Sequence, residues 1–397
     1  MEYSNFLGLD ISRLGFGIMR LPETTPDLRI DEKKGMEMVA YAYENGVNYF
    51  DTAWFYHAGE SERFIGKALA RYPRDTWVLG SKWPGNFVSI EEGRIKLQLG
   101  TMRMADEHFS TPTEIFEKQL ENCGVDFFDL YMLHNLCEST YDLYTDKKIG
   151  IIDCLLEQKR KGRIKHFGFS THARPETLDS ILNQYDCFEF ALIQLNYLDW
   201  SLQEAGKKYE VLTRRGLPIM VMEPMRGGKL ANLSEKEAAM LKAVRPDDSP
   251  AAWSFRFLQS LPNVAVVVSG MSTMEQLEEN IDIFSKGDLM TDSEKDVLWQ
   301  LVENMGEFVP CTSCKYCCCV CPQKLDIPML ISSYNETLYG DAWPVEEMFG
   351  VLSDKEKPQA CINCGACNPF CPQNIDIPAT MEKFAIILKR AESPEKP

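Results

Sequence analysis

Eight short apolar runs recur along the first 270 residues and constrain the fold more than any other feature. They are LGFGIMR (14–20), VNYFDT (47–52), WVLGSK (77–82), FFDLYMLH (127–134), IKHFGFS (164–170), FALIQLN (190–196), PIMVME (218–223) and VAVVVSG (264–270). Most are apolar on consecutive positions, the pattern of parallel strands buried on both faces. Helical patterns lie between them. DEKKGMEMVAYAYENG places Met36, Val39, Ala40 and Tyr43 on one stripe and stops at Gly46. Eight strands alternating with helices over roughly 250 residues predict an α/β architecture, a (β/α)8 TIM barrel.

Polar residues fall where such a barrel carries its chemistry. Arg20, Asp51, Lys82, His134, Ser170, Gln194, Glu223 and Ser269 each lie at or just past the C-terminal end of a predicted strand. No Gly-x-Gly-x-x-Gly joins the first strand to a helix, which excludes the doubly wound dinucleotide-binding sheet.

Six blocks in order, FDTAWFYHAGESERFIGKAL (50–69), GSKWP (80–84), DLYMLHN (129–135), GRIKHFGFSTH (162–172), IQLNY (193–197) and GMSTMEQLEENI (270–281), resemble the aldo/keto reductases over about residues 6–285. The resemblance implies an NAD(P)H-dependent oxidoreductase of a small carbonyl or alcohol, with a catalytic tetrad of Asp51, Tyr56, Lys82 and His134. Hydride delivery to a carbonyl leaves an alkoxide unless a proton arrives with it. A phenol with an ordinary pKa near ~10 is a poor acid at neutral pH unless a cation stabilises its phenolate. Lys82 is expected to supply that cation, Asp51 to hold it charged and aimed, and His134 to orient the carbonyl. Taken singly, Asp51 and Lys82 read better as an ordinary rim ion pair and His134 as a satisfied histidine; four residues at matching strand ends favour the tetrad.

The same resemblance implies dinucleotide contacts. Ser170 and Gln194 match positions that hold the nicotinamide amide, Glu279 and Asn280 match positions near the adenine, and Gly270, Ser272 and Gln276 complete the set. Gly270 and Gln276 stand where better-known members place the Lys and Arg that clamp a 2′-phosphate, so NADH is expected at least as readily as NADPH. Met222 replaces a tyrosine that many members stack on the nicotinamide. Residues 85–111 form a long connection, expected as a lid, a substrate wall or a solvated excursion, with Arg94, Lys96 and Arg103 candidates for an anionic substrate.

Ten of the fourteen cysteines cluster after residue 310. Cys311-x2-Cys314-x2-Cys317-x3-Cys321-Pro322 is answered by Cys361-x2-Cys364-x2-Cys367-x3-Cys371-Pro372, and CPQKLDIP by CPQNIDIP. This spacing resembles the bacterial-type two-cluster ferredoxins, which implies that the fourth cysteine of each copy serves the other cluster. Cys311, Cys314, Cys317 and Cys371 are expected on one [4Fe–4S] centre, and Cys361, Cys364, Cys367 and Cys321 on the second. Zinc is the rival for paired Cys-x2-Cys units; the third cysteine and the Cys-Pro of both copies favour iron–sulfur. Cys318 and Cys319 fall outside the spacing. Cys123, Cys137, Cys154 and Cys187 read as small apolar side chains.

The expected organisation is a barrel over 1–290, a linker helix over 291–309 and a small, mostly helical ferredoxin-like domain over 310–397. Lys and Arg number 42 against 59 Asp and Glu, a net charge of −17, which argues against nucleic acid and anionic membrane as partners. Neither a signal peptide nor a membrane-spanning run is evident, so a soluble, cytoplasmic protein is expected. Hydride carries two electrons and each cluster accepts one. Three readings follow: the clusters wire the barrel to a ferredoxin or flavoprotein partner, they are structural or regulatory, or the chain is an electron-transfer subunit on an inactive barrel.

Overall fold

The computed structural model describes residues 1–24, 29–97, 106–138, 140–305, 309, 311, 316–339, 349, 352–371 and 375–392. The chain separates into two compact units, Met1–Met225 with Leu230–Leu301, and Arg226–Lys229 with Val302–Pro397.

The first unit opens with an antiparallel hairpin, β1 (Tyr3–Phe6) and β2 (Leu9–Ser12). The staves follow as β3 (Leu14–Gly17), β4 (Tyr49–Asp51) and β5 (Val78–Trp83). After a small sheet of β6 (Val88–Glu91), β7 (Arg94–Leu97) and β8 (Glu107–Phe109) come β9 (Phe128–Leu133), β10 (Ile164–Thr171), β11 (Ala191–Gln194), β12 (Ile219–Met222) and β13 (Val264–Gly270). Eight of these close a parallel barrel in the order β3-β4-β5-β9-β10-β11-β12-β13, with Val267–Gly270 pairing back onto Leu14–Gly17. Every residue of β5 and β9 is buried, as staves covered by barrel interior on one side and helices on the other require. Tyr49, Leu130, Met132, Leu192, Met220 and Val266 fill the interior, joined by Phe6 and Ile11 of the hairpin. Because all staves run the same way, their C-terminal ends share one mouth.

Two local expectations need correction. The helix Glu32–Glu44, capped by the Asp31 side chain on Lys34 N, buries Gly35, Met38, Val39 and Ala42, so the stripe through Met36, Ala40 and Tyr43 is rotated outward. The reason is the Phe64 ring: a Cβ on Gly35 would stand 2.7 Å from Phe64 Cζ, so only glycine seats the helix this closely. The long connection is not wholly a loop, since β6, β7 and β8 form an antiparallel sheet within it. In it, Lys96 is neutralised by Glu91 at 3.2 Å and Asp106 at 3.3 Å. Arg94 is exposed, and Arg103 lies outside the described residues.

The expected linker contains the helix Asp292–Asn304, and the boundary between units falls inside it, after Leu301. Its buried Glu294 receives both N–H bonds of Arg256 Nη2, at 3.0 and 2.9 Å.

In the second unit the helices Ile327–Tyr339 and Ile377–Glu392 pack Leu330, Ile331 and Tyr334 with Met381, Phe384 and Leu388. Cys317 and Cys367 are part of that core. Arg226 Nη2 donates to Glu336 Oε1 at 2.8 Å. Most of the segment PVEEMFGVL (344–352) lies outside the described residues. Among the described residues no helix is long and apolar enough to cross a membrane.

Candidate active site

Three adjacent staves bring the expected tetrad together at the barrel mouth. Asp51 ends β4, Lys82 is the penultimate residue of β5, and His134 follows β9 directly. Tyr56 lies five residues past Asp51, at the start of a short turn. Lys82 Nζ donates to Asp51 Oδ1 at 2.5 Å, to Thr52 O at 2.9 Å and to the Tyr56 hydroxyl at 3.2 Å. The Tyr49 hydroxyl donates to Asp51 Oδ2 at 2.8 Å, so both carboxylate oxygens are engaged. The Tyr56 and His134 rings meet edge to face, with centroids 6.1 Å apart.

The electrostatics follow from this packing. Burial pulls the Lys82 ammonium down, but Asp51 and then Tyr56 outweigh it, and its pKa ends above the usual lysine value. Tyr56 corrects the expectation of an acidic phenol. Burial pushes it up more than Lys82 pulls it down, and Asp51 adds to the rise, so the resting phenol keeps its proton. His134 is lowered to about 3, by burial first and then by Lys82 and His172, and is therefore neutral at pH 7. Its Nδ1 is buried without a hydrogen-bond partner. A protonated phenol, a fixed cation beside it and a neutral imidazole form a site able to receive a carbonyl oxygen.

Sequence reasoning missed two supporting residues, Tyr49 and Tyr144, and gave a third, Glu223, no role beyond the rim. Tyr49 holds Asp51, as described. The buried Tyr144 hydroxyl donates to His134 O at 2.7 Å and accepts Gly85 N–H at 3.0 Å, which pins the backbone on which His134 stands. Glu223, beyond β12, lies 3.9 Å from Arg20 Nη2 and close enough for its charge to raise Tyr56. It adopts φ 55°, left-handed for a residue with a side chain. Tyr49 carries no signal beyond an aromatic in an apolar run, and Tyr144 sits in the polar stretch YDLYTDKK. Glu223 was visible only as one more polar strand end.

The expected dinucleotide contacts lie on β10, β11 and β13 and on the loop and helix Met274–Lys286 that follow β13. Ser170 Oγ accepts Asn135 N–H at 2.9 Å, which leaves its own O–H available to a ligand. Gln194 Nε2 donates to Asp199 Oδ2 at 2.7 Å. Ser272 Oγ donates to Arg20 O at 2.7 Å, and Asn280 Nδ2 to Ser269 Oγ at 3.3 Å. Glu279 is exposed. Gln276 Oε1 accepts Ser272 N–H at 2.8 Å, so this side chain closes the start of its own helix. A Cβ on Gly270 would meet the Arg20 side chain at 3.2 Å, which puts Arg20 over the place a larger residue would use.

In the second unit Cys321, Cys361, Cys364 and Cys367 line one small pocket, walled by Leu325, Ile327, Ile377 and Met381. Burial, and then the neighbouring Cys361, Cys364 and Cys321, pushes the Cys367 thiol up. Cys311 and Cys371 pack against the core that holds Cys317, whereas Cys314 lies outside the described residues. Cys318 packs there too. Among the described residues no three Cys, His, Asp or Glu side chains are grouped to hold a metal ion.

The aldo/keto reductase family description matches residues 13–297. An uncharacterized oxidoreductase of Bacillus subtilis is 28% identical over 289 residues, covering 69% of this chain and 87% of its own. The NADH-specific methylglyoxal reductase of Escherichia coli is 23% identical over 308 residues, covering 69% and 90%. Among solved structures, the holo form of an aldo-keto reductase from Bacillus halodurans superposes with a TM-score of 0.58 at 23% identity, over 76% of this chain and 95% of that one. An aldo-keto reductase from Klebsiella pneumoniae in complex with NADPH gives 0.56 at 16% identity, over 76% and 95%. At these identities the structures speak to the fold.

Proposed function

The chain belongs to the aldo/keto reductase family, and from that premise we propose that its barrel interconverts a small carbonyl and its alcohol with NAD(P)H, in a protein that also holds two [4Fe–4S] clusters. The observation that carries the reading is the Lys82 ammonium, bonded at once to Asp51 and to the Tyr56 hydroxyl.

Tyr56 gives its proton to the carbonyl oxygen in reduction and takes it back in oxidation. Lys82 stabilises the phenolate left behind, and Asp51, anchored by Tyr49, keeps the lysine charged and aimed. Neutral His134 orients the oxygen. Ser170, Gln194, Gly270, Ser272, Gln276, Glu279 and Asn280 are the side of the mouth that would hold the dinucleotide, which when bound supplies or accepts hydride. Positions 270 and 276 carry no cation to clamp a 2′-phosphate, which favours NADH at least equally.

For the clusters, support comes from the doubled cysteine spacing and from four cysteines of the two motifs lining one pocket. Cys361, Cys364, Cys367 and Cys321 would hold one cluster, and Cys311, Cys314, Cys317 and Cys371 the other. Bound clusters exchange single electrons, which makes a ferredoxin or flavoprotein the fitting partner. The test is anaerobic purification, iron and sulfide counts, titration with NADH and NADPH, and a screen of small aldehydes and ketones on the same sample. Dinucleotide binding with carbonyl turnover is expected. A chain that binds neither dinucleotide is an electron-transfer protein on an inactive barrel.

A further inference from the structure

The residue after Tyr56 is a buried side chain that the mechanism leaves without a task. His57 is 6% exposed as a residue and sits at φ 51°, ψ 49°, followed by Ala58 at φ 50°, ψ 39°. Two successive left-handed residues with side chains persist only where the surroundings over-determine them, and histidine tolerates that region better than most. The surroundings here are specific. His57 Nε2 accepts the Leu21 backbone N–H at 3.1 Å, and Nδ1 stands 3.3 Å from Glu23 Oε1. An imidazole nitrogen that accepts an N–H carries no proton, so the ring proton belongs on Nδ1, facing the carboxylate. One ring therefore joins the turn that carries Tyr56 to the segment that carries Met19, Arg20 and Leu21.

We propose that His57, held by the Leu21 N–H bond to its Nε2 with Nδ1 turned toward Glu23, is a positioning residue that fixes the Tyr56 turn so the phenol stays within hydrogen-bond reach of Lys82. The chain of contacts is short. The left-handed pair at His57 and Ala58 reverses the backbone directly after Tyr56, whose own N–H is tied back to Ala53 O at 3.2 Å. If the imidazole is lost, Leu21 N–H is left unsatisfied in a buried place and the strained pair has no compensating bond. Relaxation of that pair swings the neighbouring phenol from the ammonium. His57 touches neither substrate nor reacting atoms; it acts through Tyr56, and the inference rests on the reading of Tyr56 as proton donor.

The test compares wild type, His57→Phe and His57→Gln, with Tyr56→Phe as reference. Phenylalanine fills the space without an acceptor, while glutamine keeps one for Leu21 N–H. The first readout needs no turnover: ultraviolet difference titration of the Tyr56 phenol, isolated from the other 14 of the 15 tyrosines by subtracting Tyr56→Phe. His57→Phe is expected to raise the Tyr56 midpoint by about one unit, because the stabilising ammonium is farther away, with His57→Gln close to wild type. The second readout is kinetic: kcat in His57→Phe falls roughly tenfold while the dinucleotide Kd stays within about twofold. An unchanged midpoint in His57→Phe, or equal impairment of His57→Gln and His57→Phe, overturns the proposal. Should His57→Phe fail to fold, His57→Leu, smaller and equally without an acceptor for Leu21 N–H, is expected to raise the midpoint in the same direction, and an unmoved midpoint overturns the proposal equally. If wild type and Tyr56→Phe turn over carbonyls alike, the proposed function fails on its own, and the phenol titration still decides the role of His57.

Discussion

Lys82 Nζ lies 2.5 Å from Asp51 Oδ1, and neither side chain is more than 4% exposed. A buried ion pair of this kind is weak evidence for stability, because desolvation offsets much of the attraction. Here the lysine also reaches the Tyr56 hydroxyl at 3.2 Å. The pair is better explained as a device for holding a cation beside a phenol than as a brace for the barrel.

Removing one partner separates those two roles. Lys82→Met should leave Asp51 charged, buried and held by Tyr49 alone, lowering stability by about 3–5 kcal/mol in chemical denaturation. Carbonyl reduction should fall by about two orders of magnitude or more, with dinucleotide affinity changed by less than about threefold. A variant that keeps its rate would show that the cation is structural.

His134 makes a prediction about acid stability. Its folded pKa of about 3 lies below the usual 6.5, so between those values the unfolded chain binds a proton that the folded chain refuses. Stability therefore rises with pH across that window and is lost progressively as pH falls from 6.5 toward about 3. His134→Gln, which keeps hydrogen-bonding capacity without titrating there, should flatten that limb in denaturation measured at several pH values.

Gln276 bears on cofactor choice. Its exposed side chain caps Ser272 N–H. Gln276→Arg should tighten NADPH by about tenfold relative to NADH, and cost about 0.5–1.5 kcal/mol through the lost cap. Fluorescence titration with both dinucleotides and a melting curve read the two effects separately.

The shared pocket of Cys321 with Cys361, Cys364 and Cys367 predicts which cysteines act together. Cys321→Ser and Cys364→Ser should perturb the same cluster signal in electron paramagnetic resonance of the reduced protein, although they lie in different motifs. Cys311→Ser should perturb the other. Pairing of Cys321 with Cys311 instead would reassign the ligands.

The staves were legible because burial on both faces leaves strands such as Val78–Trp83 little room for polar residues, and the rim was legible because polar side chains reappear where each run ends. The hairpin Tyr3–Phe6 and Leu9–Ser12 was not, since four-residue strands give too few positions to show alternation. The stripe on Glu32–Glu44 was misjudged by about one position because Gly35 has no side chain to count, yet Phe64 draws that face inward. Within the site, Asp51, Tyr56, Lys82 and His134 could be named from motif and strand end. The balance of burial against charge at Tyr56 could not, because it depends on how closely the mouth packs around the phenol.

The central claim is that the Tyr56 phenol supplies the proton. The most direct measurement is the single-turnover rate of carbonyl reduction by Tyr56→Phe, on protein shown to bind dinucleotide as tightly as wild type. The account predicts a rate lower by about two orders of magnitude or more with the affinity intact. A Tyr56→Phe protein that reduces the same carbonyl at the wild-type rate would contradict it.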